Sequence, residues 1–199
     1  MKALFIGCHC DDIELGCGGT IHKRKNDWDI TCVVLSSCGP FGHLRELRDY
    51  SLKSLNELGA TKVKFENFPT NDFWQHRQRL WQVINDLDAA IKPDIVFTQC
   101  VDDHQDHKTL YEETIRNFKK VDVVSYQPTT RNSLSHRWNW FEVLSQENVD
   151  AKIIVLDNFP CYNRKIYFVP ENVKSQLRIN AMYIEEEFAE AFELVKKIN

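Results

Sequence analysis

Two hydrophobic rhythms alternate along the chain. Short runs rich in β-branched and aromatic residues, at 3–8, 30–36, 63–65, 94–99 and 121–126, read as strands. Between them apolar residues recur every three or four positions, the spacing of one helical face. Residues 18–25 predict the first helix. Leu44, Leu47, Ser51, Leu55 and Leu58 predict the second, with Gly59 as its C-terminal stop. Phe73, Leu80, Ile84, Leu87 and Ile91 predict the third, broken by Pro93, and residues 104–119 predict a fourth. The pattern then dissolves into polar, aromatic sequence over 127–140, which reads as a loop or lid. Two further strands are expected at 152–156 and 165–169. Val173, Leu177, Ala181, Ile184, Phe188, Phe192 and Val195 mark the stripe of one final helix. Strands alternating with helices predict an α/β, Rossmann-like fold: a mostly parallel sheet with helices on both faces and right-handed crossovers. Neither a repeat nor a linker interrupts it, so 1–199 reads as one domain.

Composition narrows the class of partner. With 43% hydrophobic and 27% charged residues and only 7 Gly and 6 Pro, the chain is neither disordered nor fibrous. A net charge of −4 argues against nucleic acid, which selects a basic surface. No apolar run approaches the roughly 20 residues of a transmembrane helix. The apolar start at 3–7 is too short for the core of a secretion signal and lacks a small-residue cleavage site. The cysteines are odd in number, 7, and most lie in apolar runs where a thiol serves as a small hydrophobe. A reducing, cytoplasmic location is the expectation.

In such a sheet, ligands bind beyond the carboxyl ends of strands one and four, where successive crossovers diverge. The loop after strand one reads Gly7-Cys8-His9-Cys10-Asp11-Asp12-Ile13-Glu14, and that after strand four reads Val101-Asp102-Asp103-His104-Gln105-Asp106-His107. Two neutral imidazoles and one carboxylate, with one coordination position open, form the usual hydrolytic zinc centre. His9, Asp12 and His107 can supply it, for one Zn²⁺ per chain. Zinc acidifies water, but a carboxylate must still accept the proton, and Asp11 stands beside a ligand. His104 lies one turn before His107 and is expected to face the substrate, with Asp106 or another carboxylate orienting its ring. It would stabilise an oxyanion or protonate a leaving amine. Asp102 and Asp103 read instead as helix-opening acids that meet unpaired N–H groups and the macrodipole. Gly16, Gly18 and Gly19 do not have dinucleotide-loop spacing.

The segment from Gly7 to Thr20 resembles the signature of the PIG-L/LmbE-like deacetylases, whose usual core is A-H-P-D-D-x-E. Pro93-Asp94-Ile95-Val96-Phe97-Thr98 followed by His104-Gln105-Asp106-His107 is similar to that family's second motif, and Glu187-Phe188-Ala189-Glu190-Ala191-Phe192 to its C-terminal Y-A-E-A-F element. The resemblance implies a zinc-dependent enzyme that removes the N-acetyl group from an N-acetylglucosamine conjugate, a small-molecule substrate. It implies His9, Asp12 and His107 as zinc ligands, Asp11 as general base, and His104, supported by Asp106, as stabiliser of the tetrahedral intermediate. Cys8 and Cys10 depart from the family's Ala and Pro around His9. Arg45, in a stretch like the Arg-rich helix of relatives, is a candidate clamp for a substrate phosphate or carboxylate. Trp138 and Trp140 are candidates to stack on a sugar. Self-association into a homo-oligomer is compatible with this reading. The rivals are a non-catalytic metal- or sugar-binding module and a zinc amidohydrolase with a non-sugar substrate. A cytidine-type deaminase would need a C-x-x-C, which the chain lacks.

Overall fold

The computed structural model describes residues 1–36, 45–128 and 135–198, with the side chain of Arg45 outside that set. The elements run β1 (Lys2–Gly7), α1 (Asp12–Arg24), β2 (Asp29–Val34), α2 (Arg45–Leu58), β3 (Lys62–Phe65), α3 (Arg77–Ile91), β4 (Ile95–Gln99), α4 (Gln105–Asn117), β5 (Asp122–Tyr126), β6 (Trp140–Val143), α5 (Gln146–Leu156), α6 (Pro170–Met182) and β7 (Ala189–Lys196). The strands form one sheet in the order β3-β2-β1-β4-β5-β7-β6. β1 to β5 run parallel, while β7 pairs antiparallel with β5 and with β6. The fold is the expected α/β class with a mostly parallel sheet.

β1 shows why the strands read as unbroken apolar runs. Ala3 and Phe5 enter one core with Ile13, Cys17, Leu55 and Val149 of α1, α2 and α5. Leu4 and Ile6 enter the opposite core with Leu80, Ile84 and Leu110 of α3 and α4. Both faces are covered, so alternation disappears from the sequence. Among the described residues no helix is long and apolar enough to cross a membrane.

Several expected elements are corrected. α1 begins at Asp12, six residues before the predicted start, because its glycines lower helix propensity while serving packing. A Cβ on Gly16 would stand 2.3 Å from the Tyr126 ring. Residues 152–156 belong to α5, not to a strand. A capping box starts that helix: Ser145 N–H donates to Asn148 Oδ1 (3.0 Å) and Asn148 N–H to Ser145 Oγ (3.3 Å). Residues 165–169 hold a short 3₁₀ turn, Ile166–Phe168. The long final stripe is two elements, since α6 stops at Met182 and Glu185 turns the chain at φ 58° into β7. The expected loop or lid over 127–140 ends in β6, and its residues 129–134 lie outside the described set.

Glu190 of β7 binds three elements together. Its carboxylate accepts from Gly19 N–H (2.9 Å), Thr20 N–H (2.7 Å) and the Thr20 hydroxyl (2.6 Å) of α1. It also pairs at 2.6 Å with the buried Lys152 ammonium of α5, which donates to Leu15 O at 2.6 Å. Removing one partner of a buried pair leaves the other charge uncompensated. Lys152→Ala is therefore expected to lower the unfolding free energy by about 3–5 kcal/mol in urea titrations. A loss below about 1 kcal/mol would mean that the α1 amides alone satisfy Glu190.

Candidate metal centre

The ends of β1 and β4 are tied together where their loops begin, by Cys8 N–H donating to Gln99 Oε1 at 2.7 Å. The first loop then turns sharply. Asp12 Oδ2 accepts from the His9 amide at 2.7 Å, and Asp11 between them takes φ 133°, a conformation that side-chain-bearing residues rarely adopt. The turn delivers His9, Asp11 and Asp12 to one cavity of about 410 Å³, where His104 and His107 arrive from the second loop. The three imidazoles cluster, His104 stacking on His107 at 4.6 Å and lying 4.8 Å from His9 between ring centres.

Hydrogen bonds assign the ring nitrogens. His107 Nδ1 lies 2.7 Å from the buried Asp102 Oδ2, so Nδ1 carries the proton and Nε2 presents its lone pair. That Nε2 is buried, has no hydrogen-bond partner among the described residues, and lies 3.7 Å from Asp12 Oδ2. His9 repeats the arrangement, with Nε2 at 3.1 Å from Asp106 Oδ2 and Nδ1 at 3.3 Å from Asp12 Oδ2. Each imidazole thus has a carboxylate behind it and an inward nitrogen facing Asp12, the carboxylate–histidine–metal pattern. The three ligand atoms lie within 4.8 Å of one another. Burial alone would raise the Asp12 pKa, but in the metal-free site the attraction of the His107 ring when it is protonated, and the hydrogen bonds and like attraction of His9, outweigh it and hold the carboxyl at about 2. An ionised carboxylate and two neutral imidazoles with an orphaned inward nitrogen fit a divalent cation.

A second set, His9, His104 and Asp106, also brings its ligand atoms within 4.8 Å. Its tautomers disfavour it. His104 Nδ1 accepts from the Asp106 backbone N–H at 3.1 Å, so the proton of the neutral ring sits on Nε2, a donor and not a ligand. Asp106 is held elsewhere too. Its carboxylate accepts from His9, Asn71 N–H (2.7 Å) and Phe73 N–H (3.1 Å). Burial opposes ionisation of Asp106, and those hydrogen bonds, led by His9, still pull its pKa below the ordinary value. Among the described residues the Asp106 carboxylate meets His9, and the Asp106 amide donates to His104.

The other sequence candidates divide. Asp102, read as a helix-opening acid, lies before α4, whose N-cap is His104: one oxygen accepts from His104 N–H at 2.8 Å and the other orients His107. Its place five residues before a candidate ligand was the signal, and helix capping explained it equally well. Arg45 begins α2, and its side chain lies outside the described residues. The Arg48 guanidinium lies over the Phe65 ring at 4.8 Å. Cys10 is buried with Sγ 3.9 Å from Ser36 O and is absent from both ligand groups. Trp140 packs on Phe97 and Phe192, and Trp138 on Tyr183. Sequence reasoning missed Thr70, Asn71, Tyr162, Lys165 and Tyr167, which also line the cavity. A larger cavity of about 630 Å³, between α1, α6 and β7, contains none of the ligand groups found among the described residues. His9, Asp12 and His107 line the smaller one.

Known proteins resemble this chain in sequence and in fold. The deacetylase YaiS of Escherichia coli (strain K12), itself uncharacterized, is 28% identical over 164 residues, covering 77% of this chain and 87% of that protein. The N,N'-diacetylchitobiose deacetylase of Pyrococcus horikoshii matches with a TM-score of 0.75 at 19% identity, over 96% of this chain and 82% of that one. GalB, the 4-carboxy-2-hydroxymuconate hydratase of Pseudomonas putida KT2440, matches with a TM-score of 0.77 at 14% identity, over 100% and 97%. At such identities the structures speak for the fold alone, which a hydratase and a deacetylase share. The family model described as PIG-L, GlcNAc-PI de-N-acetylase, matches residues 4–118, a span that holds both loops of the site. With more than half of its length matched, the chain belongs to the PIG-L family of deacetylases.

Proposed function

We propose that the protein is a zinc-dependent N-deacetylase that hydrolyses the N-acetyl group of an N-acetylglucosamine-type conjugate in the cytoplasm. One observation supports the metal part of this reading: the buried His107 Nε2, oriented by Asp102, has no hydrogen-bond partner among the described residues and faces Asp12 beside His9 Nδ1. His9, Asp12 and His107 would hold the ion. When bound, it supplies a Lewis acid that polarises the amide carbonyl and makes water more acidic.

The chain's own groups do the rest. Asp11 accepts the proton of the attacking water and later delivers one to the departing amine. His104 donates its Nε2 proton in a hydrogen bond to the oxygen that becomes negative as the carbonyl turns tetrahedral, a contact that strengthens as charge develops. His104 is kept in that tautomer by the Asp106 amide, and His9 is kept facing Asp12 by the Asp106 carboxylate. Family membership, more than the cavity, supports the sugar.

Elemental analysis of the purified chain, with acetate release from a panel of N-acetylhexosamine glycosides, tests the two parts separately. One zinc per chain is expected, lost in His107→Ala, together with acetate release that a chelator stops and added zinc restores. His107→Ala protein that binds zinc like wild type would remove the proposed ligands. Rapid turnover of a different amide with no acetate from any glycoside would leave the metal chemistry and remove the sugar.

A further inference from the structure

Beside the ligand cluster, the same cavity is lined by Tyr162, Lys165 and Tyr167 from the segment that joins α5 to α6. The Lys165 ammonium lies 3.3 Å from the centre of the Tyr162 ring and 5.5 Å from that of Tyr167. These rings are fixed from behind. Tyr162 stacks on the fully buried Phe159 at 6.0 Å with 3° between planes, and Phe168 contacts both Tyr162 (5.2 Å) and Tyr167 (5.4 Å). Tight turns hold the backbone, with Lys165 N–H donating to Tyr162 O at 2.8 Å and Phe168 N–H to Lys165 O at 2.9 Å. The ammonium is therefore presented by a rigid aromatic platform, not by a freely swinging surface chain.

Its charge is left over. Lys23, Lys152 and Lys197 each pair with a carboxylate, whereas among the described residues none forms an ion pair with Lys165. Lys165 is half-buried and lays its ammonium against aromatic faces, which occupy only one side of it. Its remaining N–H donors gain most from an anion. The cavity is polar along its length, with Asp11 and Asp12 at the ligand cluster and this cation beside the tyrosines. An anionic group held at the lysine would leave the acyl end of a conjugate for the ligand cluster, which orients the bound molecule.

We propose that Lys165, presented by Tyr162 and Tyr167, binds a phosphate or carboxylate on the part of the substrate remote from its acyl group. The substrate class is then an acidic amino-sugar conjugate. This rests on the deacetylase reading for the sugar and the reaction, and adds to it a residue that selects among conjugates.

The test uses three probes on the zinc-loaded enzyme: the neutral methyl glycoside of N-acetylglucosamine, its carboxymethyl glycoside, and N-acetylglucosamine 1-phosphate. KM and kcat come from acetate release, and affinity independently from titration calorimetry. Wild type is expected to prefer at least one charged probe by about tenfold or more in KM and affinity, the worth of one hydrogen bond to a charged group. The preferred probe tells phosphate from carboxylate. Lys165→Gln should abolish the preference, Lys165→Arg should restore most of it, and rising salt should shrink it. Lys119→Gln, the same charge change at an exposed site beyond α4, should keep the wild-type preference. Equal treatment of the three probes by wild type, or a preference that survives Lys165→Gln, overturns the proposal. Deacetylation without charge preference leaves the deacetylase reading intact and removes the anion subsite. Lys165-dependent binding of a charged probe with no acetate released supports the subsite and removes the deacetylase reading.

Discussion

Asp11→Asn is expected to lower kcat by about 10²- to 10⁴-fold, the usual worth of general-base help, while zinc content stays at one per chain. The substitution isolates proton transfer. Asn tolerates positive φ about as well as Asp, so the turn at φ 133° survives and the neighbouring His9 and Asp12 keep their places. The amide has the same shape but cannot take a proton at neutral pH. Asp12→Ala removes instead the carboxylate that both inward nitrogens face, at 3.3 and 3.7 Å, and should lose the metal itself. His104→Ala should keep zinc and lower kcat more than it raises KM, because its donor acts on charge that develops during the reaction. Zinc analysis and steady-state kinetics on the three variants decide the assignment. Loss of zinc in Asp11→Asn with zinc and activity retained in Asp12→Ala would reverse the roles of the two aspartates.

The second large effect is expected at a residue that never faces the substrate. Asp102→Ala should weaken zinc binding by about 10- to 100-fold, measured by competition with a chromogenic chelator. The physical reason is the tautomer. Without the carboxylate at Nδ1, the His107 ring is free to carry its proton on Nε2, the atom that must be unprotonated, and is free to rotate. Asp102→Asn retains an acceptor oxygen and should fall between wild type and Ala. Asp103→Ala, one residue along and exposed, should bind zinc as wild type does. A wild-type zinc affinity in Asp102→Ala would show that packing alone orients His107.

The first half of the fold was legible because its signals are strong and local. Leu47, Leu55 and Leu58 share one helical face and are buried as their spacing requires. The second half misled for identifiable reasons. The apolar run Ile153-Ile154-Val155-Leu156 has no period, and the helix announces itself only through the Ser145 and Asn148 box that precedes it. In β7 the first four residues, Ala189 to Phe192, are all buried, so the strand loses its alternation. Phe188, Phe192 and Val195 then imitate helical spacing across what is in fact a turn and a strand.

By itself the sequence determined the α/β class and the residue types at the ends of β1 and β4, because ligand chemistry and strand patterning are properties of short segments. It could also bring two loops nearly a hundred residues apart into one crevice, since strand order in such a sheet follows from connection rules. The tertiary structure alone decided which carboxylate serves which imidazole. Asp102 and Asp106 both lie at the start of the same helix, and nothing local says which imidazole each would meet. Only the approach of the first loop gives Asp106 to His9 and leaves Asp102 to His107. The tyrosine and lysine wall was hidden for the same reason. Tyr162, Lys165 and Tyr167 lie more than fifty residues from either loop, and only the packing of Phe159 and Phe168 into the core turns them toward the cavity.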